Sequence, residues 1–193
     1  MRLNLLVAKM KQDLREQLLA RRRAISAEER SQYDAALNRR VLAWWVSHPV
    51  TSLGVYWPIH GEPDLQTTYL ELARRGVQLA LPVVIKASAP LQFVKWAPGD
   101  VLALDVMKVP VPAPPHRPIR PQALLIPCAG FTPQRTRLGY GGGFYDRTLA
   151  VTPRPLAVGI AYQCLAASFA ADPHDIALDA IITESAFLPE EIG

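Results

Sequence analysis

Cysteine is almost missing from this chain: Cys128 and Cys164 are the only two in 193 residues, and they stand far apart. They form neither a redox pair, a zinc knuckle nor a disulfide framework, so a reduced, cytoplasmic compartment is expected and both thiols read as packing residues. Long hydrophobic runs are also lacking. No stretch approaches the ~20 apolar residues a membrane-spanning helix needs. The opening Met1 to Lys9 is interrupted by charge too early for a secretory leader. A membrane is therefore not an expected partner. Excess charge is modest, with 21 basic against 17 acidic residues and a net charge of +4. That balance favours an anionic partner without separating nucleotide, polyanionic substrate and nucleic acid. No internal repeat is visible, which removes solenoids and propellers.

What is present is ordinary globular material. Half the residues are apolar, enough for a packed core, and the length fits one domain spanning 1–193. Leu6, Met10, Leu14 and Leu18 recur every four residues and predict a first helix with one apolar stripe. Lys9, Lys11, Arg15 and the run Arg21-Arg22-Arg23 decorate it and read as solvated surface. Ser26 followed by Glu29 is a capping-box signature opening a second helix through Tyr33, Leu37, Val41 and Trp44. Strands are expected at Thr51–Trp57, Val77–Val84, Leu91–Trp96, Ala123–Ile126, Leu156–Tyr162 and Asp179–Thr183. A helix capped by Asp64 and ended by Gly76 falls between the first two. From Val109 to Pro121, six of thirteen residues are proline, read as a stiff extended connection. Strands alternating with helices predict an α/β fold: a mostly parallel, Rossmann-like three-layer sheet with helices on both faces, after two N-terminal helices. Ligands in such sheets bind at the carboxyl ends of the strands.

One of those strand-to-strand connections contains Arg137-Leu-Gly-Tyr-Gly-Gly-Gly-Phe-Tyr-Asp-Arg147. Four glycines in five positions allow positive φ and close approach of the backbone to a ligand. Successive N–H groups there can form an anion-binding hollow, and a helix starting near Phe144 would point its positive end at the same place. Arg135, Arg137 and Arg147 supply fixed charge suited to phosphate, and Asp146 the carboxylate that Mg²⁺ sites use. The stretch lacks the Gly-Lys-Ser/Thr ending of a Walker A loop, and Phe144 breaks the dinucleotide fingerprint. A turn bearing surface arginines is the competing reading. The flanking Arg and Asp residues favour a phosphate site.

The stretch Arg137 to Asp146 resembles the Arg-Leu-Gly-x-Gly-x-Gly-Tyr-Tyr-Asp motif of the 5-formyltetrahydrofolate cyclo-ligases, or methenyltetrahydrofolate synthetases. Lys11-Gln-Asp-Leu-Arg15, Ser26-Ala-Glu-Glu29, the segment Val55 to Leu65 and His174-Asp-Ile-Ala-Leu-Asp-Ala-Ile-Ile-Thr183 resemble the family in the same order. The likeness runs nearly end to end and is weakest from about 85 to 120. Phe144 stands where the family has Tyr, and the residues before Arg137 also depart from it.

The resemblance implies ATP-dependent conversion of 5-formyltetrahydrofolate to 5,10-methenyltetrahydrofolate, with release of ADP and phosphate. It implies that ATP is bound by Lys11, Gln12, Asp13, Leu14 and Arg15 together with Arg137, Leu138, Gly139, Tyr140, Gly141, Gly142, Gly143, Phe144 and Tyr145. Folate would meet Trp57, Glu62 and the loop from Tyr140 through Gly141, Gly142 and Gly143 to Phe144, while Asp146 and Asp175 would hold Mg²⁺. A monomer is expected. Two other readings remain: a basic nucleic-acid-binding module and a folate binder without turnover. The first lacks aromatics interleaved with the basic run, as a stacking platform requires, so nucleic acid is not expected as a partner. The second has no reason to keep Arg137, Asp146 and Asp175.

Overall fold

The computed structural model describes residues 2–189, with side chains described from Lys9 onward, so the packing of Leu6 lies outside the described residues. The chain opens with α1 (Arg2–Ala24) and α2 (Ala27–Ser47). Ser26 caps α2 with the full reciprocal box: its Oγ accepts from Glu29 N at 3.2 Å, while Glu29 Oε2 accepts from Ser26 N at 3.0 Å. The predicted stripe on α1 is half realised. Leu18 is fully buried, but Met10 is 63% exposed, so the helix turns its early part outward. Leu37, Val41 and Trp44 form the buried stripe of α2, each worth about 1.5–3 kcal/mol of burial.

The sheet has the order β12-β11-β10-β7-β1-β2-β3-β6. Its parallel centre is β1 (Ser52–Gly54), β2 (Gln78–Val83), β7 (Ala123–Pro127), β10 (Leu156–Ile160) and β11 (Ala180–Ile182). Antiparallel strands finish both edges: β3 (Gln92–Lys95) and β6 (Pro118–Ile119) on one side, β12 (Phe187–Leu188) on the other. All five residues of β7 are buried, as a strand covered on both faces must be.

The proline-rich stretch does more than connect. It supplies β5 (Pro110–Pro112), paired with β4 (Leu102–Leu104), and β6 on the sheet edge, the position where a missing N–H is tolerated. Helix α3 (Gln66–Arg74) begins where Asp64 Oδ1 accepts from Gln66 N at 2.9 Å, and Gly76 at φ +84° ends it.

The connection β1–α3–β2 moves along the sheet in one direction, and β7–β10 moves in the other. Between them lies β8 (Gly130–Phe131), paired with β9 (Arg137–Leu138), and then α4 (Phe144–Leu149). Right-handed crossovers running opposite ways place their helices on opposite faces, so α3 and α4 cover different sides. The chain reverses direction between β1 and β7. That is a topological switch point, where the carboxyl ends of two adjacent strands open a crevice. No helix among the described residues is long and apolar enough to cross a membrane.

Candidate active site

The switch point brings together segments far apart in sequence. Leaving β1, the chain passes Trp57 and turns at His60 and Gly61, both at positive φ. Tyr56 Oη donates to Pro63 O at 2.7 Å across the base of this turn, and Arg30 Nη1 from α2 donates to Gly61 O at 2.7 Å. So braced, the turn carries Glu62 inward. Trp57 is half-buried and packs edge-on against Trp96, with ring centroids 6.1 Å apart. Trp96 is buried and its indole N–H has no partner among the described residues.

Beyond β7 and the β8–β9 hairpin comes the glycine loop. Gly141 at φ +94° and Gly143 at φ +62° occupy backbone that residues with a Cβ rarely adopt. Arg147 holds the loop from within, donating from Nη2 to Gly142 O at 2.5 Å while its guanidinium lies over the Phe144 ring. Arg137 Nη2 pairs with Asp146 Oδ2 at 2.9 Å, and its guanidinium also lies over Tyr145, 5.5 Å from the ring centre. The other arginine picked from the sequence, Arg135, turns away to donate to Leu178 O. Helix α4 has only six residues, so it offers N–H donors rather than the sizeable dipole of a long helix.

Helix α1 meets this loop along one face. Arg15 Nε donates to Gly139 O at 2.6 Å, and Lys11 Nζ bridges Asp172 at 2.6 Å and Asp175 at 2.8 Å. Burial alone would lower the Lys11 pKa, but the bonds it donates to Asp172 and Asp175 outweigh this and raise it. Leu14 packs on the core beside them. Gln12 and Asp13 are not brought to the loop: they lie on the exposed side, where Gln12 bonds Glu16 at 3.2 Å.

Arg22 overturns the solvated reading of the basic run. Arg21 and Arg23 are exposed, but Arg22 is only 1% exposed and donates from Nη1 to Tyr140 Oη at 2.7 Å. Tyr140 Oη in turn bonds Glu62 Oε1, whose other oxygen accepts from Ile59 N at 3.0 Å. Tyr140 as a residue is 42% exposed while its hydroxyl is held inside this chain of bonds. Burial pushes the Glu62 carboxyl above the usual range, with the Tyr140 bond pulling it back. Burial, followed by the Glu62 charge, pushes the Tyr140 phenol upward.

Asp146 and Asp175 face different cations, Arg137 and Lys11, and share no partner. In each carboxylate only Oδ2 is bonded by the described residues, which leaves Oδ1 unengaged. No cluster of three His, Cys, Asp or Glu side chains is present among those residues. One free oxygen on each carboxylate is a donor of the kind Mg²⁺ uses when phosphates and water supply most of its ligands. A hollow of about 690 Å³ lies elsewhere, at the amino ends of β7 and β10, lined by Phe93, Ile119, Leu124 and Val151 among others. None of the site residues expected from the sequence lines it.

Fold and site together define a doubly wound α/β protein with an arginine-flanked glycine loop and a buried acid at its switch point. The family model of the 5-formyltetrahydrofolate cyclo-ligases matches residues 7–184, and the chain belongs to that family. The 5-formyltetrahydrofolate cyclo-ligase of Escherichia coli K12 is 31% identical over 173 residues, covering 86% of this chain and 95% of that one. The enzyme of the same name from Mycoplasma pneumoniae is 29% identical over 177 residues, covering 90% and 98%. Among solved structures, the 5,10-methenyltetrahydrofolate synthetase of Mycoplasma pneumoniae superimposes with a TM-score of 0.76 at 28% identity, covering 90% of this chain and 98% of that one. That of Aquifex aeolicus gives 0.75 at 27%, covering 92% and 91%.

Proposed function

We propose that this chain converts 5-formyltetrahydrofolate and ATP to 5,10-methenyltetrahydrofolate, ADP and phosphate. The observation that carries the reading is the meeting, at one switch point of a cyclo-ligase-family chain, of a glycine loop suited to phosphates and the buried acid Glu62. Closing the five-membered ring on a formamide requires loss of the amide oxygen, a very poor leaving group. Transfer of the γ-phosphoryl group to that oxygen forms an O–P bond and breaks the bond to ADP. N10 then attacks the formyl carbon, phosphate departs with the oxygen, and the N10 proton is lost.

The protein's share in such chemistry is positioning and charge neutralisation. Arg15 meets the glycine loop from α1, Lys11 on the same helix pairs with Asp172 and Asp175, and both suit the nucleotide side, with Leu14 seating that helix. Within the loop, Arg137 and the glycines suit the triphosphate, and Arg137 is set by its bond to Asp146. Asp146 and Asp175 would hold Mg²⁺, which neutralises phosphate charge when bound. Trp57, half-buried and backed by Trp96, offers a flat apolar face for a fused ring, and Glu62 an acceptor for its polar edge. Two free thiols suit a reducing cytoplasmic compartment. The test is stoichiometry: one ADP should form per methenyl product, with no ADP released when 5-formyltetrahydrofolate is omitted. ATP consumption indifferent to the folate would remove the reading.

The nucleic-acid alternative loses ground on Arg22, because the residue at the centre of the basic run is inside the protein.

A further inference from the structure

Arg22 is a costly residue where it stands. Its guanidinium is buried, and of its three nitrogens only Nη1 is bonded; Nε and Nη2 have no partner among the described residues. Buried donors left unpaired oppose folding, and an apolar side chain of similar volume would fill the space without that cost. What the position provides is a cation at the end of one short line of groups: Arg22 Nη1, Tyr140 Oη, Glu62 Oε1. The guanidinium also sits over the Tyr140 ring, 5.7 Å from its centre. Tyr140 has a single hydroxyl proton. Because Arg22 can only donate, the Tyr140 oxygen accepts from it and its proton is directed to Glu62.

We propose that Arg22 is the positioning residue of the folate side of the site, fixing the Glu62 carboxylate through the Tyr140 hydroxyl although it stands on the helix that serves the nucleotide side. The inference rests on the function proposed above and deepens it. Lys11, Arg15 and Arg22 lie on one face of α1, four and seven residues apart. Arg15 meets the backbone of the glycine loop at Gly139, whereas Arg22 meets a side chain that leaves the loop and ends on Glu62. One helix therefore reaches both substrate sites, with a different arginine for each. Glu62 keeps Ile59 N as its other donor, so losing the Tyr140 link would leave the carboxylate held at one oxygen only, free to turn from the ligand.

The experiment measures equilibrium binding of 5-formyltetrahydrofolate and of a non-hydrolysable ATP analogue, each alone, to the full-length protein and its variants. Arg22→Leu should weaken folate binding about tenfold, the worth of one charge-assisted hydrogen bond, while analogue binding changes less than about threefold. Tyr140→Phe should weaken folate binding to the same degree. The double variant should be no worse than either single one, because both remove the same link. Arg22→Lys should restore part of the affinity, since an ammonium can still donate to Tyr140. The thermal midpoint of Arg22→Leu should hold or rise; should that variant fold poorly, Tyr140→Phe still reads the link from an exposed ring. Folate affinities that multiply to about a hundredfold in the double variant, or equal losses for both ligands, would overturn the proposal. If the parent protein bound no 5-formyltetrahydrofolate, the functional reading would fall, and this inference with it.

Discussion

At the scale of single residues, the ion pair of Arg137 and Asp146 ties β9 to the first turn of α4 across the glycine loop. Arg137 is nearly buried, so neutralising its partner leaves a charge with poor compensation, a loss of up to about 3 kcal/mol. Asp146→Asn is therefore expected to lower the thermal midpoint and to reduce turnover by about a hundredfold or more. Unchanged turnover with unchanged Mg²⁺ dependence would place Asp146 outside the metal and phosphate machinery. Cys128 gives a second prediction. Burial pushes its thiol up to about 12, while in the unfolded chain it titrates near ~8.5. As pH rises above that value the unfolded chain releases the proton and the native state keeps it. Stability should then fall by up to about 1.4 kcal/mol per pH unit from this group, and Cys128→Ala should flatten the slope measured by denaturant titration between pH 9 and 10. An identical slope in the variant would contradict the assignment. Motif residues such as Arg137 and Asp146 were legible in the sequence because their spacing is local. Arg22 was not, since its neighbours Arg21 and Arg23 look the same. Its burial is decided by Tyr140 and Glu62, 118 and 40 positions away.

Among the elements, α2 shows how a local signal can serve the site. The Ser26–Glu29 box fixes where the helix starts, and one turn into it Arg30 reaches the Gly61 carbonyl and holds the turn that carries Glu62. Ser26→Ala should cost about 1 kcal/mol in chemical unfolding, with a smaller loss of folate affinity as the Arg30 brace loosens. A variant as stable as the parent would show that the cap adds nothing beyond packing. Helices and buried strands could be read from periodicity because their apolar spacing is dictated by the core they face. The proline-rich stretch could not. Its pairing with β3 depends on an edge whose free backbone groups are created by the rest of the sheet, and its pairing with β4 makes a separate two-stranded ribbon. The outward turn of Met10 was hidden for a similar reason: a four-residue repeat identifies a face of α1 but not how far along the helix a partner extends.

On the scale of the whole molecule, the switch point between β1 and β7 is what joins an acid from one half of the chain to a glycine loop from the other. Alternating strands and helices announced a parallel sheet, but strand order is not written in any local pattern, so the crevice itself had to be seen. Its consequence is that nucleotide and folate should be used together. The most direct measurement mixes the purified protein with 5-formyltetrahydrofolate and Mg²⁺ and follows the near-ultraviolet absorbance of the conjugated methenyl product, with ATP, with a non-hydrolysable analogue, and with no nucleotide. The expected result is product only with ATP, at one ADP per methenyl group. Product formed equally well without nucleotide, or none with ATP present, would contradict the proposed reaction.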